Sequence, residues 1–177
     1  MNKVEFPRPQ RVDTIGDEAR TVEIDADAEE RAALAKRFDL IDIEKLTGKF
    51  TIRRDAAGIL AEGRVQAVVT QACSITGDPL PATVDEPVAL RFVAEADAGQ
   101  DEVELGDGDI DMIPYEGGTI DLGEVAAETM ALALDPFPRG PNAATVLKEA
   151  GVLNEEEAVP LGPFGALAAL RDKLGKT

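Results

Sequence analysis

Between Asp42 and Val93 the chain reads almost continuously as β-strand, and this stretch limits the fold more than any other. Phe50, Ile52 and their neighbours lead into Arg54-Asp55-Ala56-Ala57-Gly58, where Gly58 suits the positive φ of a hairpin turn. The β-rich run ILAEGRVQAVVTQA follows, Gly77-Asp78-Pro79 marks a second turn, and Thr83 to Val93 reads as the returning strand. Two hairpins in succession predict an antiparallel sheet or partial β-barrel. Aromatic residues make up only 4% of the chain, with six Phe, one Tyr and no Trp, so Val, Ile, Leu and Ala must fill the core.

Helical signals flank this sheet. Thr21 to Ile24 alternates as a short strand, and an earlier one is expected at Val4 to Phe6. Asp27 then has N-cap character, with Glu30 at capping-box spacing, and predicts a helix from Ala28 to Phe38. Asp121 and Glu124 repeat that spacing before a second helix. There Leu122, Ala126, Met130 and Leu134 form the apolar stripe, Glu124, Glu128 and Asp135 lie opposite, and Pro136 and Pro138 stop the helix. Asn142 is placed to cap a short helix ending near Gly151, and Glu155-Glu156-Glu157 interrupts beyond it. The closing PFGALAALRDKL sets Phe164, Leu167, Leu170 and Leu174 on or near one helical face, either docked on the domain or held for a partner. The expected fold is α+β: the sheet or partial barrel packed with two main helices, plus a short C-terminal helix. Residues 1–141 form the domain, with 92–118 as an acidic loop, and 142–177 form a tail with a short amphipathic helix.

Charge narrows the partners. The 35 acidic residues against 18 basic ones leave a formal net charge of −17. Nucleic-acid affinity comes mainly from Lys and Arg displacing counterions, so this balance opposes RNA or DNA as the contact, and it opposes anionic membranes equally. It favours solubility, and it favours a basic partner. The opening MNKVEFPRPQ lacks an apolar signal core, and no window approaches the roughly 18 apolar residues of a membrane helix. A cytoplasmic location is expected.

The chemistry-bearing residues argue against catalysis. There is no histidine, which removes the commonest general base and metal ligand. Asp107, Asp109 and Asp111 alternate as in a calcium loop, but Met112 stands at the sixth position and Gly118 at the twelfth, where Gly and a bidentate Glu are needed. Cys73 has no imidazole to activate it and reads as a buried or half-buried structural thiol. Gly106-Asp107-Gly108 sits in an acidic setting hostile to phosphate. No cofactor and no metal site are expected.

Three segments together resemble the YceD family, a bacterial and plastid group associated with accumulation of large-subunit ribosomal RNA. VVTQACSITGDPLPATVDEPVALRF (68–92) is similar to the family's strand, Cys-x-x-Cys knuckle and returning strand. IDLGEVAAETMALALDPFPRGP (120–141) resembles its acidic-capped helix and proline-rich exit, and PFGALAALRDKL (163–174) its closing peptide. One departure matters: Thr76 stands where the second knuckle cysteine of many relatives falls, so a zinc site is not carried over. Turn chemistry around Gly77 and Pro79 must hold the knuckle instead.

The resemblance implies a role in building the large ribosomal subunit, in a family often encoded beside a small, very basic ribosomal protein. Charge then selects a mechanism: a non-enzymatic acidic factor that binds a basic ribosomal protein. Glu95, Asp97, Asp101, Glu102, Glu104, Asp107, Asp109 and Asp111 would attract that protein, while the 122–134 helix with Phe164, Leu167 and Leu170 would anchor it. Two alternatives stay open. Direct RNA binding needs a basic patch from residues scattered in sequence (Arg8, Arg11, Arg53, Arg54, Arg64 and Arg91), and it requires Arg53, Arg54, Arg64 and Arg91 to converge on one sheet face. A carboxylate-based enzyme needs a deep pocket holding two acids with perturbed pKa values.

Overall fold

A computed structural model describes residues 4–95 and 110–152. The strands are β1 (Pro9–Arg11), β2 (Arg20–Asp25), β3 (Asp42–Asp55), β4 (Gly58–Ala72), β5 (Pro79–Ala94), β6 (Asp111–Tyr115) and β7 (Thr119–Asp121). The helices are α1 (Ala28–Arg37), α2 (Leu122–Ala133) and α3 (Ala143–Glu149). β2-β3-β4-β5-β6 form one open sheet, and β1 and β7 pair separately.

The two expected hairpins are present, β3 with β4 through Asp55↔Gly58 and β4 with β5 through Ala72↔Pro79. Gly58 takes φ +138, and a Cβ there would stand 2.4 Å from the Phe92 carbonyl oxygen, so turn and neighbouring strand both require glycine. The returning strand starts at Pro79, four residues before the expected Thr83.

The sheet is mixed rather than wholly antiparallel, because β6 pairs parallel to β5 from Leu90↔Asp111 to Ala94↔Tyr115, and it does not close into a barrel. The same pairing corrects the acidic loop. Residues 92–94 complete β5 and Asp111–Tyr115 form an edge strand, where Pro114 is tolerated because an edge position need not donate on both sides. At the N-terminus Val4 to Phe6 is not a strand. Phe6 is instead a core residue, 1% exposed, and the early strand is β1.

Strand alternation gives the sheet two unlike faces. Val22 and Ile24, Leu46, Phe50 and Ile52, Ala61, Val65 and Ala67, and Val84, Val88 and Phe92 point to one side. On that side lies the core, shared with Leu34 of α1 and with Leu122, Val125, Ala126 and Met130 of α2. No polar or charged residue is buried among the described residues. α1 has the full capping box: Asp27 accepts from the Glu29 and Glu30 amides, and Glu30 accepts from the Asp27 amide.

α2 starts where Asp121 accepts from the Gly123 and Glu124 amides, 2.9 and 3.3 Å away, and from the Arg8 amide, 2.8 Å away. Glu124 does not complete a second box. Its carboxylate meets both guanidinium nitrogens of Arg37 instead, at 3.0 and 2.5 Å, and so ties α2 to α1. Gly123 lies against the N-terminal segment so closely that a Cβ would stand 1.7 Å from the Phe6 carbonyl oxygen. α3 follows Asn142 as expected, although the Asn142 side chain makes no capping bond.

Candidate partner-binding surface

The face of the sheet away from the helices answers the question of a basic patch. Cross-strand register sets Glu23, Lys49 and Arg64 in one row and Arg53, Leu60, Arg91 and Met112 in another. Arg53, Arg64 and Arg91 therefore do share a face, and Lys49 joins them.

Each of these cations faces a carboxylate on the same surface. Lys49 Nζ lies 2.8 Å from Glu23, Arg64 2.8 Å from Asp85, and Arg91 and Arg53 2.5 and 3.8 Å from Asp55. The pairing holds the Asp55 and Asp85 carboxyls below their ordinary values, through hydrogen bonds from Arg91 and Arg64 respectively.

Arg54 points to the other side. Its backbone amide donates to the Gly16 carbonyl at 2.7 Å, and its guanidinium donates to the carbonyls of Ile15 and Val12, pinning residues 12–16. Arg8 is held by Glu30 at 2.7 and 2.8 Å and stacks over Phe6, and Arg11 pairs with Asp13 at 2.5 Å. All six arginines that might have bound phosphate are thus occupied by carboxylates or backbone carbonyls.

The other charged region has one sign of charge in its sequence. Residues 92–138 hold thirteen carboxylates and no Lys or Arg. Of the acidic residues expected to attract a partner, Glu95 directly follows β5 and Asp111 begins β6, both exposed. Asp97, Asp101, Glu102, Glu104, Asp107 and Asp109 lie outside the described residues, as do Phe164, Leu167 and Leu170 and the helix expected of PFGALAALRDKL. Glu95 has a partner that sequence reasoning missed. The Glu116 carboxylate hydrogen-bonds to it and raises its pKa, the response of two like charges placed side by side. Both stand at exposed strand ends rather than in the deep pocket that a carboxylate enzyme would need.

α2 adds an apolar feature to this acidic region. Leu122, Ala126 and Met130 are buried as expected and Leu134 is half-buried, but Leu132 is 86% exposed. It falls two positions off the stripe that the sequence displays, which is why periodicity passed over it. Beside it a groove of about 390 Å³ opens between the end of α2 and the β5–β6 edge.

Hydrogen bonds hold the knuckle between β4 and β5. Cys73 is buried, its amide donates to the Asp78 carbonyl at 2.8 Å, and its own carbonyl accepts from Gly77, which takes φ +74. The Thr76 hydroxyl bonds the Asp78 carboxylate at 2.8 Å. Ser74 and the Cys73 sulfur capture the proline-rich exit from α2, through the Pro138 carbonyl at 2.8 Å and the Gly140 amide at 3.3 Å. Donation from Gly140, then from the Thr76 hydroxyl and the Thr76 and Ile75 amides, lowers the Cys73 pKa to about 6. One thiolate is the only soft ligand in the knuckle, so its residues do not fit a zinc ion.

A family model described as large ribosomal RNA subunit accumulation protein YceD matches residues 61–171. The chain belongs to the YceD family. The YceD match begins inside β4 and takes in the knuckle, β5, β6, α2 and the proline-rich exit, whereas β1, β2, α1 and β3 precede it. No curated protein and no solved structure matches this YceD chain. No helix among the described residues is long and apolar enough to cross a membrane.

Proposed function

We propose that this YceD-family chain supports accumulation of the large ribosomal subunit and its RNA without catalysing a reaction, by binding a basic ribosomal protein in the cytoplasm. The observation that carries the reading is the unlike fate of its charges. On the outer sheet face Lys49, Arg53, Arg64 and Arg91 are each held by a carboxylate, while residues 92–138 carry thirteen carboxylates and no Lys or Arg. A field of one sign speeds encounter with an oppositely charged partner and keeps that partner from premature RNA contact. The acidic residues from Glu95 to Asp111 supply the attraction, and α2 with the Phe164, Leu167 and Leu170 segment supplies the apolar anchor.

Direct RNA binding is the second reading, because Lys49, Arg53, Arg64 and Arg91 share one face. To reach phosphate, each would have to leave a carboxylate that stays nearby and repels the nucleic acid. The test is capture with the purified chain from its own cell lysate, at low and moderate salt, with and without nuclease. Retention of a basic ribosomal protein that survives nuclease and weakens with salt supports the escort role. Retention that disappears with nuclease transfers the function to the arginine face and refutes the charge argument.

A further inference from the structure

Granting a basic protein partner, we infer that the groove between the end of α2 and the β5–β6 edge is its seat, and that it receives an amphipathic segment carrying an aliphatic side chain among lysines or arginines. Val88 and Leu90 of β5 line the groove on one side and Leu132 and Ala133 of α2 on the other, with Glu86 and Asp111 at its margin. Register places Glu86 and Asp111 on the same sheet face as Val88 and Leu90, so apolar and acidic groups point into one opening. A volume of about 390 Å³ admits one or two side chains rather than a folded edge.

Leu132 is the feature that the fold itself leaves without use. An isolated exposed leucine is ordinary, but this one lies beside apolar strand residues and two carboxylates. Such a lining rewards an aliphatic side chain by burial and its cationic neighbours by proximity to Glu86 and Asp111.

Charge also discriminates among occupants. A second copy of the chain would bring the same acidic margin against itself across a two-fold axis, like charge on like. The chain's own residues 153–177 carry four acidic and three basic groups, so they offer the acidic margin no net positive charge. A basic segment of another protein satisfies both halves of the groove.

The experiment uses the full-length chain and, as probe, the proteins acid-extracted from purified large ribosomal subunits of the same cells. Leu132→Lys is compared with Thr51→Lys, an equal change of charge at an exposed position on the outer sheet face. Lysine suits an exposed helical site, and thermal melts monitored by circular dichroism verify that both variants fold. A photo-crosslinking residue at position 132 identifies the neighbour.

The expected result is that the wild type retains a basic protein, that Leu132→Lys weakens its binding about tenfold to a hundredfold, the worth of one buried leucine, and that Thr51→Lys stays within about twofold. The crosslink should join position 132 to that same protein. Equal binding by the two variants, or a crosslink to a second copy or to residues 163–174, overturns the groove while leaving the escort role standing. A wild-type chain that retains no basic protein overturns the role itself.

Discussion

Replacing Asp121 with alanine tests whether one carboxylate oxygen positions the helix assigned to partner binding. Asp121 Oδ1 accepts from Gly123 and Glu124 in the first turn of α2 and from Arg8 on the strand-forming N-terminal segment. Loss of the helix cap costs about 1 kcal/mol. Loss of a carboxylate acceptor for the part-buried Arg8 amide costs about 1.5–3 kcal/mol more. The expected destabilisation is therefore about 2–4 kcal/mol, a fall in Tm of about 5–15 °C for a chain of this size. Asp121→Asn keeps an oxygen in place without its charge and should recover more than half of the loss. Denaturant unfolding gives the magnitude, and amide hydrogen exchange gives the location. Protection should fall at Arg8, Gly123 and Glu124 and persist across the β3–β4 pairing. A loss below about 0.5 kcal/mol, or an asparagine variant as weak as the alanine one, would refute the account of a shared acceptor.

Three further outcomes are expected. Gly123→Ala drives a methyl group into the Phe6 carbonyl and should cost about 3 kcal/mol or more in urea denaturation, with Gly16→Ala, where nothing lies within 4 Å, as the quiet control. Arg37→Met removes the contacts to Glu124 and Glu5 and should cost about 1 kcal/mol or less at low salt, the difference from wild type shrinking by about half near 1 M salt. Cys73, with its pKa brought from 9.0 to about 6, is ionised in the folded chain where the unfolded chain still carries the proton. Its contribution to stability is thus complete above pH 9 and lost as pH falls through about 6. The stability gap between wild type and Cys73→Ala should narrow over that window, and thiolate absorbance of this single cysteine should titrate near 6. A thiolate midpoint between about 8 and 9 would show that the Gly140 and Thr76 donors do not act on the sulfur.

What the sequence displays best is what its near neighbours decide. The capping box at Asp27 and Glu30 closes within one turn, and the Gly58 and Gly77 turns depend on backbone freedom at single positions, so all three were legible. The same spacing at Asp121 and Glu124 promised a second box, but Arg37, 87 residues away, claims the Glu124 carboxylate. β6 was hidden for a related reason. Its five residues sit in an acidic stretch with a proline among them, and only its parallel partner in β5 makes them a strand. The arginine question was likewise one of register. Arg53 and Arg91 become neighbours through Leu60, and a shift of one residue in either pairing would send one of them to the opposite face.

These long-range pairings decide how the net charge of −17 is felt outside the molecule. On the outer face Lys49, Arg53, Arg64 and Arg91 each sit within 4 Å of a carboxylate, and such close pairs leave little potential beyond a Debye length. The thirteen carboxylates of 92–138 belong to a stretch without Lys or Arg that includes both β6 and α2, the helix that carries the exposed Leu132. Arg37 sharpens this arrangement. By neutralising Glu124 at the start of α2 it leaves Glu128, Asp111 and Glu86 to set the potential nearer the helix end, where the groove opens. If the proposed groove is the seat, a basic protein is drawn toward a place where an aliphatic side chain also finds a cavity, and the order of events follows from range: attraction acts first, over about 10 Å, and burial at Leu132 acts only on contact. Salt should accordingly slow association far more than it speeds release, whereas Leu132→Lys should chiefly speed release.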